Sequence, residues 1–79
     1  MKKPIIYISP TCPYCRKVMT FAEENKVDVE YKDRGNKKIR EELVDLAGKT
    51  QVPFLVDKNK NLQMHESDDI IMHLKKHYM

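Results

Sequence analysis

Two cysteines two residues apart, Cys12 and Cys15, stand where a short apolar run gives way to a helical pattern. The apolar residues 4–8 are typical of a buried strand, and Pro13 suits a first helical turn, which does not need its missing N–H. This order places Cys12 at a helix N-terminus, where unpaired N–H groups and the helix dipole stabilise a thiolate. The pair therefore predicts a β–α unit that opens on a reactive thiol.

The length and cysteine content favour one small intracellular domain. A chain of 79 residues is typical of a single domain, so we expect one over residues 1–79. Secreted domains of this size usually carry more cysteines at wider spacing, and the sequence has no signal-peptide pattern and no membrane-length apolar run. We therefore expect a reducing, cytoplasmic location and no membrane partner.

The basic residues are scattered and give a formal net charge of +3. This distribution favours a solvated surface. No basic stripe with interleaved aromatic residues is present, so we expect no nucleic-acid partner. A mildly positive field would help to attract small anionic thiols.

Apolar periodicity predicts an α/β order, βαβ followed by αββα, with a right-handed parallel first crossover. The predicted strands cover residues 4–8, 27–32, 52–56 and 62–64, with a polar turn at 57–61. The predicted helices cover residues 13–26, 37–47 and a last segment capped by Ser67. Gly48 is expected to stop the second helix. The predicted buried helix positions are Cys15, Val18, Met19, Ala22, Ile39, Leu43, Leu46, Ala47, Ile70, Ile71, Leu74 and Tyr78.

Thiol–disulfide exchange needs an attacking thiolate, a second thiol that resolves the mixed disulfide, and access for the target. Cys12 suits the first role, and Cys15, one turn inside the helix, suits the second. The alternatives are two unreactive thiols, or half of a zinc site completed by His65, His73 or His77. The β–α context favours the redox role, and we expect His73 and His77 to be a surface pair and the chain to bind no metal.

Two further features each have an ordinary and a functional interpretation. Val52-Pro53 is either a simple strand entry or a cis bond that leaves the Val52 backbone free to pair with a peptide-like ligand. Ser67-Asp68-Asp69 is, taken alone, best explained as a helix cap with acids in its first turn. The functional interpretation is a helix N-terminus that binds a carboxylate beside an acid that binds an α-ammonium group, the two charges of a γ-glutamyl end.

In this order and spacing, the three features resemble the glutaredoxin family over nearly the whole chain. The resemblance implies a single glutaredoxin domain with a thioredoxin-like fold, β-α-β-α-β-β-α, in which a four-stranded mixed sheet is flanked by three helices. The matching segments are Cys12-Pro13-Tyr14-Cys15, Thr50-Gln51-Val52-Pro53-Phe54 and Ser67-Asp68-Asp69-Ile70.

The resemblance also implies a glutathione-dependent oxidoreductase that reduces protein disulfides and glutathione mixed disulfides. Cys12 would attack, Cys15 would resolve, and the two would form the redox-active disulfide. Glutathione would be a co-substrate rather than a bound cofactor. The expected partners are glutathione, disulfide-containing or glutathionylated proteins and, indirectly, glutathione reductase, with the chain a monomer. The implied glutathione-binding residues are Tyr14, Arg40, Gln51, Val52, Pro53, Ser67 and Asp68.

The chain departs from the family pattern at two places. Ser9 stands where many glutaredoxins have a lysine, which removes a cation from beside the thiol. Arg40, Lys49 and Lys37 are the candidates to replace it. His65-Glu66 stands where a small pair is common, and the sequence MHESDDI is similar to the N-terminal domain of glutathione transferases, whose fold is related.

Two alternative functions are also open. The first is an electron donor that thioredoxin reductase recharges directly, for example for a ribonucleotide reductase. The loss of the lysine keeps this alternative open, whereas Ser67 and Asp68 argue against it. The second is an iron–sulfur carrier that uses Cys12 and bound glutathione, which Pro13 and the presence of Cys15 disfavour.

Overall fold

The computed structural model describes residues 3–79, so the first two residues of the predicted domain lie outside the described residues. The four strands form one mixed sheet in the order β2-β1-β3-β4; β1 and β2 are parallel, and the other neighbours are antiparallel. The predicted thioredoxin-like fold is confirmed. The elements are β1 (Ile5–Ile8), α1 (Pro13–Glu24), β2 (Glu30–Asp33), α2 (Lys37–Ala47), β3 (Phe54–Asp57), β4 (Leu62–Met64) and α3 (Ser67–His77).

The hydrophobic core joins the sheet to the helices. Tyr7 shares a groove with residues of α2, so Ile6 and Ile8, its neighbours on β1, point to the opposite face. Helices α1 and α3 pack against each other. Burying one large aliphatic side chain contributes about 1.5–3 kcal/mol. The fully buried aliphatic residues include Ile6, Val18, Leu43, Leu55, Ile70 and Leu74. None of the helices in residues 3–79 is long and apolar enough to cross a membrane.

The second helix has the predicted bounds because both of its ends are specified locally. The Asn36 side chain accepts hydrogen bonds from the backbone N–H groups of Lys38 and Ile39, at 2.9 and 3.2 Å. Gly48 adopts a left-handed conformation with φ of 76°, which ends the helix as predicted. The prediction that Leu46 is buried is wrong, since its side chain is 43% exposed.

The connection between α1 and β2 differs from its prediction. Helix α1 ends at Glu24, and Lys26 takes a positive φ of 54°. The N–H of Val27 donates to the Ala22 carbonyl at 2.8 Å, so it completes the helix end and does not begin a strand. Strand β2 begins at Glu30, beside the start of β1 at Ile5.

Three polar predictions in the second half of the chain are also wrong. Asp57 is not a turn residue: it is the last residue of β3 and fully buried. His73 is not part of a surface pair, because it is buried and its Nε2 lies 2.7 Å from Asp57 Oδ2. Ser67 is the first residue of α3, and Glu66 occupies the N-cap position. In addition, β3 begins at Phe54, two residues later than predicted.

Candidate active site

The strand directions bring four separate segments to one end of the sheet. Parallel β1 and β2 both finish there, with Ile8 opposite Asp33. Antiparallel β3 starts there, with Phe54 opposite Tyr7, and β4 finishes there. We call this region the thiol end, which comprises residues 9–15, Arg34, residues 50–53 and residues 65–68.

Cys12 occupies the N-cap position of α1 and is half-buried. Burial raises the pKa of its thiol. The opposing effects are larger in sum: hydrogen bonds from the backbone and side chain of Cys15 and from the Tyr14 backbone, with the positive charge of Arg34, bring the pKa below the usual 9.0. Cys12 is therefore placed and polarised as an attacking thiolate should be.

Cys15 is fully buried on the inward face of α1, as predicted. Burial and, to a smaller extent, its hydrogen bond to Cys12 and the Cys12 charge raise the pKa of Cys15 to about 11. The backbone N–H of Ser9 donates to its sulfur at 3.4 Å and acts in the opposite direction. At the position where a lysine was expected, the chain thus provides a hydrogen bond to the second thiol.

Val52 and Pro53 lie buried next to the dithiol, and the peptide bond between them is cis. Of the two interpretations of this dipeptide, the cis bond is confirmed. The Val52 carbonyl oxygen lies 3.9 Å from the Cys12 sulfur, a long hydrogen bond from the thiol. The backbone of Val52 is therefore adjacent to the sulfur that would react.

A cleft of about 330 Å³ runs from Val52 to the N-terminus of α3. Six of the seven residues predicted to bind glutathione line it, whereas Arg40 is exposed on α2 and is not among the described residues that form its walls. The lining residues are Tyr14, Gln51, Val52, Pro53, His65, Glu66, Ser67 and Asp68.

The sequence did not single out His65 and Glu66 as residues of the cleft. The His65 ring packs on Phe54, with centroids 4.6 Å apart, and its buried Nδ1 has no hydrogen-bond partner within residues 3–79. Burial and then the charge of Lys49 lower the pKa of His65. Glu66 precedes Ser67 at the helix cap, so the antiparallel β3–β4 pair that brings Ser67 here brings Glu66 with it.

The charges along the cleft are mixed. The N-terminus of α3 presents unpaired backbone N–H groups and partial positive charge, which attract anions. Asp68 lies in the first turn and pairs with Lys17 at 2.5 Å, although both side chains are largely exposed. Exposed pairs of this kind contribute little and exchange readily. The cleft therefore combines an anion-attracting helix end with carboxylates that attract a cation.

The described residues at this end of the sheet do not form a group of metal ligands. Across residues 3–79, no three side chains of His, Cys, Asp or Glu are grouped as metal ligands would be. His73, one of the proposed partners for a zinc site, is instead hydrogen-bonded to Asp57.

Comparison with known proteins places these features in a wider context. A model of the N-terminal domain of glutathione S-transferases matches residues 6–79. No curated protein sequence matches the chain. A glutathione S-transferase from the Antarctic clam Laternula elliptica is 30% identical, with a TM-score of 0.78, over 98% of this chain and 36% of the clam protein.

Two further solved structures share the fold. A glutathione transferase homolog from Drosophila mojavensis, solved with bound glutathione, is 26% identical with a TM-score of 0.80, over 99% of this chain and 36% of that one. Human glutathione S-transferase T1-1 in its apo form is 22% identical with a TM-score of 0.78, over 95% of this chain and 32% of that one. The chain thus spans about a third of the length of these relatives.

Proposed function

Because the chain belongs to the family of glutathione S-transferase N-terminal domains, we propose that it is a glutathione-dependent thiol–disulfide oxidoreductase of the dithiol glutaredoxin type. Its substrates are protein disulfides and glutathione mixed disulfides. In this proposal residues 1–79 act as one glutaredoxin domain and as a monomer, in a reducing compartment such as the cytoplasm, where both thiols stay reduced between cycles.

One observation carries this proposal: the thiol with the lowered pKa lies against a cleft of the right chemistry for glutathione. The Cys12 sulfur is 3.9 Å from the carbonyl oxygen of Val52, which is a wall of that cleft. The far end of the cleft offers a helix N-terminus for the γ-glutamyl carboxylate and the acids Glu66 and Asp68 for its ammonium group. The Val52 backbone lies between, beside the cysteinyl part of the ligand.

Reduction of a glutathione mixed disulfide needs Cys12 alone. The Cys12 thiolate attacks the glutathione sulfur, the bond from that sulfur to the target protein breaks, and the released protein thiolate takes a proton from water. A second glutathione thiolate then attacks the glutathione sulfur of the Cys12 adduct. This step releases glutathione disulfide and restores the Cys12 thiolate.

Reduction of a protein disulfide also needs Cys15. Cys12 attacks one target sulfur to form a mixed disulfide, and Cys15 attacks the Cys12 sulfur, which releases the reduced target and leaves a Cys12–Cys15 disulfide. Two glutathione molecules reduce that disulfide and leave as glutathione disulfide. Burial and the reduced Cys12 together hold the pKa of Cys15 near 11, and forming the mixed disulfide removes the part due to Cys12. Cys15 therefore becomes easier to deprotonate when it is required.

The test is turnover of a glutathionylated peptide with glutathione, glutathione reductase and NADPH. We expect turnover by the unmodified protein and by the variant Cys15→Ser, and none by Cys12→Ser. With a protein disulfide as substrate, Cys15→Ser should fail as well. Absence of turnover by protein whose Cys12 is demonstrably reduced would refute the proposal.

A second candidate, an electron donor recharged by thioredoxin reductase, is favoured by one observation. Asp68, the acid expected to hold the ammonium group of glutathione, is paired with Lys17. Replacing glutathione and glutathione reductase by thioredoxin reductase in the same assay separates the two functions. Reduction of the Cys12–Cys15 disulfide by that enzyme without glutathione would support the second candidate.

A further inference from the structure

We propose that Arg34 is the positioning residue of the dithiol site: it ties the loop that carries Cys12 to the loop that carries Val52 and places a positive charge beside the reacting sulfur. This inference rests on the proposed function for its consequence in turnover. Its structural part stands on the hydrogen bonds that Arg34 makes to Ile8 and Thr50, and the effect of its charge on the Cys12 thiol is measured without turnover.

The backbone of Arg34 is fixed to the strand that leads to Cys12. Its N–H donates to the carbonyl oxygen of Ile8, the last residue of β1, at 2.9 Å. Beyond Ile8 the chain turns, and the Cys12 N–H donates to the Ser9 carbonyl at 3.0 Å. Arg34 thus extends the parallel β1–β2 pairing by one hydrogen bond, up to the beginning of the turn that holds the thiol.

The side chain of Arg34 is fixed to the other half of the site. Its Nη1 donates to the carbonyl oxygen of Thr50 at 3.0 Å, and the contact is partly buried. Thr50 is two residues before Val52, whose carbonyl meets the Cys12 sulfur. One residue therefore holds both loops that must keep their spacing for a ligand to lie across Cys12.

The charge of Arg34 compensates for the missing lysine at Ser9. Its field favours the thiolate form of both Cys12 and Cys15. The other charged residues of the neighbouring cleft are the acids Glu66 and Asp68, the latter paired with Lys17. Among the described residues, Arg34 in the β2–α2 connection is a cation whose charge lowers the pKa of both thiols, whereas a similar role for Lys37, Lys49 or Arg40 stays a prediction.

An arginine suits this double task better than a lysine. A guanidinium group has five N–H donors in a planar fork and keeps its charge at every accessible pH, so it holds a carbonyl and remains a cation. A lysine would keep the charge on a flexible stem without the fork. Charge and positioning can therefore be separated by substitution.

The experiment measures the rate at which iodoacetamide alkylates Cys12 as a function of pH, in the Cys15→Ser background. We expect Arg34→Gln to slow alkylation at pH 7 by about tenfold, the effect of one pH unit in the thiol titration. The exposed Lys75 on α3 provides a matched control, since Lys75→Gln makes the same change in net charge and should leave the rate unchanged. An Arg34→Gln rate equal to that of the control would overturn the proposal.

Arg34→Lys tests the positioning role and also covers the case in which Arg34→Gln fails to fold. We expect it to keep the alkylation rate within about twofold but to raise the KM for a glutathionylated peptide more than it lowers kcat, because the Thr50 loop is less firmly held. A tenfold loss of alkylation in folded Arg34→Lys would refute the charge role. Alkylation requires no glutathione, so it reports on Arg34 even if the proposed turnover is absent.

Discussion

At the end of the sheet that carries the β3–β4 turn, the buried Asp57 carboxylate has hydrogen-bond partners on both oxygens. At the thiol end, by contrast, the Cys12 sulfur is partly exposed beside a cleft. Asp57 Oδ2 lies 2.7 Å from His73 Nε2 and accepts the Tyr78 hydroxyl at 2.7 Å, and Oδ1 accepts the Asn59 N–H at 3.1 Å. The Cys12 thiol is half-buried; it interacts with Cys15 and Tyr14 in the first turn of α1, and its contact with the Val52 carbonyl is long, at 3.9 Å. We call the Asp57 region, residues 57–61 with His73 and Tyr78, the hairpin end.

The two ends differ in the role of their polar groups. Those at the hairpin end stabilise the fold, whereas those at the thiol end are available to bind a ligand. A buried polar group without a partner costs about 1–3 kcal/mol, so a fold tolerates one mainly where binding supplies the missing bond. The hairpin end joins the end of α3 to the end of β3 and has no such vacancy around Asp57. The thiol end keeps an unpartnered His65 Nδ1, counted within residues 3–79, at the wall of its cleft.

The largest effect expected is the loss of turnover in Cys12→Ser. Serine keeps the size of the side chain but is far less acidic, so glutathione-coupled reduction should fall by at least about a thousandfold. The midpoint of thermal unfolding should change little, because a serine hydroxyl can take the place of the thiol in its hydrogen bonds at the start of α1. A variant that lost stability and activity together would contradict the separation of the two ends.

At the hairpin end, Asp57→Asn should have the opposite result, a loss of stability with the Cys12 thiol unaffected. It removes the negative charge that His73 and Tyr78 face, and breaking such a buried cluster should lower the free energy of unfolding by about 3 kcal/mol. Urea unfolding measures this loss. Tyr78→Phe removes the hydrogen bond to Asp57 and the longer one from the Asn59 side chain, and provides the smaller matched change of about 1 kcal/mol.

In the Asp57→Asn protein that remains folded, iodoacetamide should alkylate Cys12 at the same rate as in the protein without this substitution. A slower rate would mean that the hairpin end also controls the thiol, and the division into two regions would be wrong.

Acid should weaken the hairpin end through the same carboxylate. Burial raises the pKa of Asp57, but its hydrogen bonds to His73 and Tyr78 lower it overall below the usual 3.8. The carboxylate therefore contributes stability that is fully present above the pKa of the unfolded chain and is lost as the pH falls through the lower pKa of the folded protein. Urea unfolding at a series of pH values should show the difference between the unmodified protein and Asp57→Asn shrinking below about pH 4. A difference that stays constant down to pH 2 would contradict this role.

The smallest effect expected is that of Ser67→Ala at the far end of the cleft. Ser67 is buried at the first position of α3 and lines the cleft, and under the proposed function its hydroxyl would bind the γ-glutamyl carboxylate. Losing one such hydrogen bond should raise the KM for a glutathionylated peptide about fivefold, or about 1 kcal/mol, with kcat unchanged. An unchanged KM would remove Ser67 from the ligand site.

The sequence predicted the thiol end more accurately than the hairpin end, for physical reasons. Local signals of helix capping and spacing predict the start of α1 around Cys12, Pro13 and Cys15. In the same way, Asn36 and Gly48 predict the two ends of α2. The burial of Asp57 and His73 depends on the packing of α3 against β3, which no local pattern encodes, so a polar run was predicted to be a turn and an i, i+4 pair to lie on the surface.

The same reason explains which parts of the site were missed. Arg34 lies at the thiol end because β1 and β2 pair in parallel with Ile8 opposite Asp33, and a one-residue shift would move it away. Arg40 was assigned by resemblance to a family position, and in this chain it lies outside the cleft walls within the described residues. Its role in glutathione binding stays a prediction.

The central claim is that glutathione occupies the thiol end, bonded to Cys12, and leaves the hairpin end untouched. The most direct test is to treat ¹⁵N-labelled Cys15→Ser protein with glutathione disulfide, identify the adduct by mass spectrometry, and compare amide chemical shifts. We predict one glutathione on Cys12, with shifts at Gln51, Val52, Ser67 and Asp68 and none at Asn59 or His73. Failure of reduced Cys12 to form the adduct, or an adduct that leaves the cleft amides unshifted, would contradict the account.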